Sequence, residues 1–450
     1  MPPMVHSRYD LLAAPAAPSS AITDLPSAPS PGVLHVWCLG GVHSVAIVLA
    51  LLVALLSSTT AAQGDSKPLN LPRTLSSSAQ VSLITVMPGD QAWNLFGHGA
   101  LRIADPVYRF DATFNYGIFN FDDGFIGRFI YGELDYNLGV YPFQYLLEDA
   151  QAERRTVIEQ LLDLDGPQRQ ALYEGLMVNA LPENRTYRYD FLFDNCSTRL
   201  VGILRKALGE SLVLPKGPEE TRTFRQLLAT QLGAHLWFEL GIETSLGSEV
   251  DETATFEQAW FLPALFRDAA DRGVIDGRAF VSSTSTLYDG GREPVSARSQ
   301  WPAAVAGALI ALVGLWTARR SARAGQPLST RTEGTLLFLC GVAGLVLLGF
   351  WFGTLHHVTA NNGNVLWAVP THVFLAFLLG RTASTPWIRG YLVVAGALML
   401  LAFLGGLASW LQPMPTLLQV LMPWLGCRLL WRGLHRDLQA APESGPPESA

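Results

Sequence analysis

Apolar and polar positions divide this chain into two unlike parts. From residue 303 to 431 apolar residues dominate in five blocks, at about 303–317, 335–353, 364–380, 390–411 and 416–431. Each approaches the ~20 residues a helix needs to cross a ~30 Å hydrocarbon layer, so the pattern predicts a bundle of five membrane-spanning helices. Between residues 64 and 295 the apolar residues come in short groups separated by charged and turn-forming ones, as in a water-soluble domain. There "VSLITVM" (81–87) and "GALRIA" (99–104) have the β-branched content of strands, and "VYRFD" (107–111) alternates like a half-buried strand. Asp105-Pro106 between the last two is turn chemistry. "DGPQRQALYEGLMVNAL" opens on Asp165 as N-cap with Pro167 in the first turn, then spaces Leu172, Leu176 and Leu181 at near-helical intervals. "DNCSTRLVGILRKALG" places Leu200, Ile203, Leu204 and Ala207 on one helical face, with Asp194 or Asn195 as N-cap and Gly209 as the stop. The soluble part is therefore mixed α and β, and residues 226–295 carry no pattern clear enough to assign a role.

Charge changes this picture by orienting it. The connections after the first and third apolar blocks carry Arg319, Arg320, Arg323 and Arg331, and Arg381 and Arg389; the tail after the fifth carries Arg428, Arg432 and Arg436. Basic connections stay in the cytoplasm. The second and fourth connections, "TLHHVTANNGN" and "QPMP", have no Lys or Arg and belong outside. Upstream, the apolar core Val45–Leu56 followed by small residues near Ala61 and Ala62 has the layout of a secretory signal, cleaved near Gln63 or kept as an anchor. The expected organisation is an N-terminal extension and signal over 1–62, an exported domain over 63–295, a membrane domain over 296–435 and a cytoplasmic tail over 436–450. In a bacterium this is a multi-pass inner-membrane protein with a periplasmic domain. The net charge of -7, with no basic run interleaved with aromatics, predicts no nucleic-acid partner.

Candidate chemistry is sparse. Of the four cysteines, Cys38, Cys340 and Cys427 lie in apolar segments, so no disulfide framework is expected. Cys196 falls in the first turn of a capped helix, where unpaired backbone N–H groups favour a thiolate and an oxyanion. A nucleophilic cysteine needs a base, and the exported domain holds two histidines. His98, flanked by Gly97 and Gly99 at the start of a strand, is the expected base; His235, among apolar neighbours, reads as a packed residue. The group orienting the imidazole is expected on an adjacent strand, with Asp111 preferred and Asn115 as the alternative or as a substrate contact. Arg102 positions a substrate phosphate or carboxylate, or forms a surface ion pair. Asn195 caps the helix or donates to the oxyanion. His356, His357, Asn361, Asn362 and Asn364 form a polar cluster at the outer boundary, and His372 falls near the middle of the third block, facing a bundle interior or cavity. No metal ion and no cofactor are expected, because no third ligand or carboxylate closes a site around the His pair.

"FGHGALRI", "FNYGIFNF", "GELDYNLGVYPFQYLLEDAQAERRTVIEQLLDL" and "LPENRTYRYDFLFDNCSTRL" together resemble the periplasmic domain of the Lnb-type lipoprotein N-acyltransferase family, over about residues 80–225. "HHVTANNGNVLWAVPTH" resembles a segment of its membrane-bound members. That family is similar to the permuted papain-like group, in which the histidine precedes the cysteine and an Asn-Cys pair opens a helix. The resemblance implies a permuted papain-like exported domain of α+β class, Cys196 as nucleophile and His98 as base. It also implies an acyl-enzyme intermediate, a phospholipid acyl donor and a lipoprotein acceptor. The same pair on such a fold also suits a periplasmic cysteine peptidase or amidase acting on cell-wall peptides, and a non-enzymatic membrane scaffold is the third reading.

Overall fold

The computed structural model describes residues 71–435 apart from 120–123, 218–219, 293–295, 326–327, 329 and 380–384. The signal segment with Cys38, Arg381 and the tail with Arg436 lie outside the described residues.

The soluble part is built on a seven-stranded sheet. Its strands are β1 (Gln80–Val86), β2 (His98–Asp105), β3 (Phe110–Ile118), β4 (Asp135–Pro142), β5 (Val157–Leu162), β6 (Thr186–Arg188) and β10 (Val281–Tyr288). They lie in the order β10-β5-β1-β2-β3-β4-β6, every neighbouring pair antiparallel. Three short strands, β7 (Leu212–Val213), β8 (Val274–Ile275) and β9 (Arg278–Ala279), form a separate sheet. The central strands are covered on both faces. On one, Leu101, Ile103 and Phe114 pack against Leu172, Tyr173, Leu200, Ile203 and Leu204. On the other, Ile84, Val86 and Ala100 pack against Phe143, Leu146 and Ala150.

The two helices on the first face have the apolar spacing and caps that the sequence supplies, whereas the other face is covered by Phe143–Ala152, which has no side-chain cap. Gly166–Asn179 has Asp165 and Gln168 as a reciprocal capping box, and ends before Leu181. Cys196–Leu208 buries Leu200, Val201, Ile203, Leu204 and Leu208 along one face. Its N-cap is Asn195, whose Oδ1 accepts from the N–H groups of Ser197 and Thr198, a device contributing ~1 kcal/mol. The expected strand over 107–111 is mostly turn. Asp105 Oδ1 accepts from the N–H groups of Val107 and Tyr108, Arg109 takes a left-handed φ of 54°, and the strand begins at Phe110. The aspartate's local hydrogen bonds override the short alternating pattern.

The C-terminal part is helical. Among the described residues three helices, Trp301–Arg323, Arg331–Gly353 and Pro386–Leu407, are long and apolar enough to cross a membrane. Thr416–Leu434 is a fourth long helix, but it contains Pro423 and buries Gln419, Arg428 and Arg432, a composition unlike that of a lipid-facing span. It packs closely on Trp301–Arg323: a Cβ on Gly307 would lie 2.0 Å from the Gln419 carbonyl oxygen, so only glycine fits. The expected third span, 364–380, is not one helix. A 3-10 turn at Gly363–Leu366 and a five-residue helix at His372–Ala376 flank a non-helical stretch containing Pro370, which has no N–H to continue a helix.

Both connections without Lys or Arg lie against the soluble part. Gly247 N–H donates to Val358 O, Asn362 Nδ2 donates to the Thr244 and Ser245 carbonyls, and Gln412 Nε2 donates to Leu246 O. The segment after residue 226, whose role the sequence left open, supplies much of this seat. Buried Arg225 organises it by pairing with Asp251 and donating to the carbonyls of Glu243, Leu246 and Gly247.

Candidate functional site

Strand register decides which polar side chains meet. In the β2–β3 pair Leu101 lies opposite Phe114 and Arg102 opposite Thr113. Continued to the strand ends, this register puts His98 opposite Gly117 and diagonal to Asn115, on one face. His98 Nε2 lies 2.5 Å from Asn115 Oδ1. An amide oxygen only accepts, so Nε2 carries the proton, and Nδ1 is left to act as base toward Cys196. Asn115 is held in turn, its Nδ2 donating to the Tyr141 hydroxyl. Burial pushes the Tyr141 phenol up to about 12, so it keeps its proton.

Asp111 does not orient His98. It sits four residues along β3 from Asn115, about 13 Å at the strand rise, where the same diagonal relation pairs it with Arg102. Arg102 donates to Asp111 through Nε and Nη2 (2.8 and 2.6 Å), to Glu159 through Nη1 (2.9 Å), and lies 4.1 Å over the Phe143 ring. Two carboxylates neutralise that guanidinium, so its expected role toward a substrate anion gives way to tying three strands together. Asn195 resolves as a cap: its Oδ1 holds the first turn while its Nδ2 donates to Phe191 O and Phe261 O, leaving no donor for an oxyanion. His235 lies 3.6 Å from Asp90. His372 is buried inside the helical part, with Nδ1 2.7 Å from the Tyr391 hydroxyl, and has no contact with the Cys196 cluster.

Cys196 is 8% exposed and opens its helix beside the ends of β2 and β3. Ser197 Oγ donating to Trp260 O, together with the Asn195–Phe261 bond, fixes that helix end. Burial pushes the thiol up, but the His98 charge and hydrogen bond, with the N–H groups of Gly99 and Ser197, outweigh it and hold Cys196 below the usual thiol range. For His98 burial pushes the imidazole down, and the Cys196 charge, with hydrogen bonds to Cys196 and Asn115, outweighs it and leaves the ring above its usual value. The two shifts favour a thiolate–imidazolium pair in the window between the lowered thiol and the raised imidazole.

The sequence did not single out Gly117 or Tyr187. Gly117, at φ 98°, sits at an irregularity in the β3–β4 register, and a side chain there would point into the cluster. Its Cβ would lie 3.9 Å from His98 Cε1 and 4.0 Å from both Cys196 Cβ and Tyr187 Oη. The missing side chain thus leaves a gap ringed by His98, Cys196 and Tyr187. Buried Tyr187 Oη has no hydrogen-bond partner among the described residues, and the Arg199 guanidinium lies 4.0 Å over its ring. A glycine within the strand pattern at "FNYG" was the available signal, since such a glycine marks a bulge or a close approach.

The outer connection reaches the loop that leads into Cys196. His357 lies between two carboxylates, Nε2 2.5 Å from Asp190 and Nδ1 2.7 Å from Glu249, with its ring stacked on Phe193. Burial pushes this imidazole down, but the two carboxylates outweigh it and keep the ring protonated above the usual histidine range.

The thiolate–imidazolium pair has a direct readout. Alkylation of Cys196 by iodoacetamide, followed by peptide mass in the full-length protein, is expected to stay fast well below the ordinary thiol pKa of ~8.5. In His98→Ala the imidazole's charge and hydrogen bond no longer offset burial, so the thiol shifts up and the rate at pH 7 falls by about tenfold or more. A wild-type rate that rises only above pH 8 contradicts the pair.

A family model described as the Lnb N-terminal periplasmic domain matches residues 72–230, and one described as the Lnb transmembrane domain matches residues 296–436. No curated protein and no solved structure matches the chain. The first match contains His98, Asn115, Tyr187 and Cys196; the second contains the long apolar helices and both outer connections. The two models, in family order, cover about two thirds of the sequence. The chain therefore belongs to the Lnb family, as a membrane-anchored protein whose periplasmic domain carries the Cys196–His98–Asn115 cluster.

Proposed function

We propose that this protein is a thiol acyltransferase that N-acylates lipoproteins through an acyl-enzyme intermediate on Cys196. The observation that carries the reading is the Cys196–His98–Asn115 cluster at a helix N-terminus, in an Lnb-family chain whose outer connections abut the domain holding it. Cysteine, histidine and asparagine in this order of contact match papain-like enzymes, which supports a permuted papain-like domain.

In the proposed reaction the Cys196 thiolate attacks the ester carbonyl of a phospholipid. Negative charge develops on the carbonyl oxygen, and the free Tyr187 hydroxyl is the donor placed to meet it. Imidazolium His98 then gives its proton to the departing lysophospholipid oxygen, which leaves a thioester on Cys196 and a neutral ring. The α-amine of a lipoprotein's lipidated cysteine attacks the thioester, His98 takes the amine's proton, and the amide product leaves the thiolate–imidazolium pair restored. Asn115 keeps the proton on Nε2 throughout, so Nδ1 always faces the reacting atoms.

The same reading places the protein in a bacterial inner membrane, crossing it five times with the C-terminus in the cytoplasm, as the distribution of arginine implies. The test is the N-terminal mass of cellular lipoproteins with and without the protein. Expression in a host lacking its own N-acylation is expected to add one acyl chain to the N-terminal amine, and His98→Ala is expected not to. Lipoprotein mass unchanged by the wild-type protein, together with release of cell-wall peptides, transfers the reading to a peptidase.

A further inference from the structure

The helix Phe125–Tyr131, "FIGRFIY", buries no residue, although all six of its residues other than Arg128 are apolar, aromatic or glycine. Ile126, Phe129 and Ile130 share one face at i, i+3 and i+4 and are each about half exposed, as is Tyr131. A soluble surface seldom leaves such a face bare without a use for it.

Three contacts fix the height of this helix. Leu355 N–H donates to Tyr131 O at 2.7 Å, His356 Nε2 lies 2.9 Å from Phe129 O, and the glycine after the helix, Gly132, packs on the backbone of Leu355 and His356. Leu355 and His356 come just after Thr354, the C-cap of the apolar helix Arg331–Gly353, whose outer end exposes Phe352. The bare face is therefore continuous with the surface that a membrane domain presents to lipid. Aromatic rings gather at this level, with Phe129 and Phe350 both against His356, as at a polar–apolar boundary. From the same helix a row of rings leads inward: Phe125 stacks on Phe119, Phe119 packs on Tyr136, and Tyr136 stacks on Tyr189.

We propose that Phe125–Tyr131 is an interfacial helix that lies in the outer leaflet, with Ile126, Phe129 and Ile130 among phospholipid acyl chains and Arg128 among head groups. The occupant of the bare face is lipid. The inference rests on the membrane domain and not on the acyl-transfer reading. Its consequence is a lipid-contacting element eight residues beyond Gly117, joined to the Cys196 surroundings by a continuous row of aromatic rings.

A photo-crosslinker tests this in the full chain. A benzophenone amino acid is introduced at position 126 or 130, and in separate samples at Val107, which is exposed in the turn at the far end of β3. The proteins are reconstituted in phosphatidylethanolamine–phosphatidylglycerol vesicles, irradiated and weighed. Adducts with the mass of one phospholipid are expected at 126 and 130 at about tenfold or more the yield at Val107. Because both side chains are exposed, substitution there leaves the fold intact, which near-unchanged elution of the proteins in detergent will show. Lipid yields equal to those at Val107, or adducts with the mass of a protein, overturn the proposal. Lipoprotein N-acylation that persists in Cys196→Ala, with the lipid adducts at 126 and 130 retained, counts against the enzyme reading alone.

Discussion

Cys196→Ala is expected to lose the acyl adduct on the protein completely and to lower lipoprotein N-acylation by on the order of 10³-fold or more, since the unit acts only with its nucleophile. Cys196 sits on a helix fixed at its N-terminus by bonds that do not involve its sulfur: Asn195 to Phe261, Ser197 to Trp260, and the Asn195–Thr198 capping box. The truncation removes one small buried atom and leaves that frame in place, so the loss reports chemistry and not unfolding. The graded companions follow from the contacts. Asn115→Ala frees the imidazole to lose its tautomer and is expected to cost about 10²-fold in kcat, while Asp111→Asn, confined to the Arg102 pair, stays within about twofold. Intact-protein mass after incubation in phospholipid vesicles and the N-terminal mass of the lipoprotein product are the readouts. A Cys196→Ala protein that still carried an acyl group would end the acyl-enzyme reading.

Glu333→Ala is expected to prevent the helical part from assembling. Glu333 is fully buried near the start of Arg331–Gly353, and both arginines of Thr416–Leu434 that reach it are buried as well. Arg428 Nε donates to Oε1 at 2.6 Å, Arg432 Nε donates to Oε2, and Arg432 Nη2 also reaches Leu328 O. Deleting the carboxylate takes from both buried guanidinium groups the charge they share. Breaking a buried pair in this way costs about 3–5 kcal/mol, and a non-aqueous surrounding offers no water in compensation. Reduced thermal stability and aggregated elution in detergent are the expected results, with Glu333→Asp intermediate. An unchanged melting curve for Glu333→Ala would show that the triad adds nothing to assembly.

Much of the candidate site was legible because it depends on local sequence. Asp194 and Asn195 directly precede one apolar helical face, so a capped helix with Cys196 in its first turn follows from the local pattern, and only two histidines in the exported domain were available as base. The third residue was not legible. Asp111 and Asn115 lie on one face of the same strand, and only the β2–β3 register, a contact between strands, assigns Asn115 to His98 and Asp111 to Arg102. The same applies to Arg102, whose charge is absorbed by Glu159 from a strand 57 residues away in sequence.

In the membrane part, the apolar runs by themselves determined that the chain carries a membrane domain, because hydropathy depends on composition. They did not determine the third block's conformation. Hydropathy records transfer to lipid and is blind to Pro370 and to asparagines that bond the neighbouring domain, so a long apolar run became two short turns of helix. By itself, then, the sequence determined the family and the two-part organisation, and singled out Cys196 and His98 as the candidate pair. Tertiary structure alone decided Asn115 over Asp111, the gap at Gly117, the free Tyr187 hydroxyl and the seating of the outer connections on the periplasmic domain. Each of these is a meeting of segments distant in the chain, and such meetings are set by strand register and packing, which no local pattern encodes.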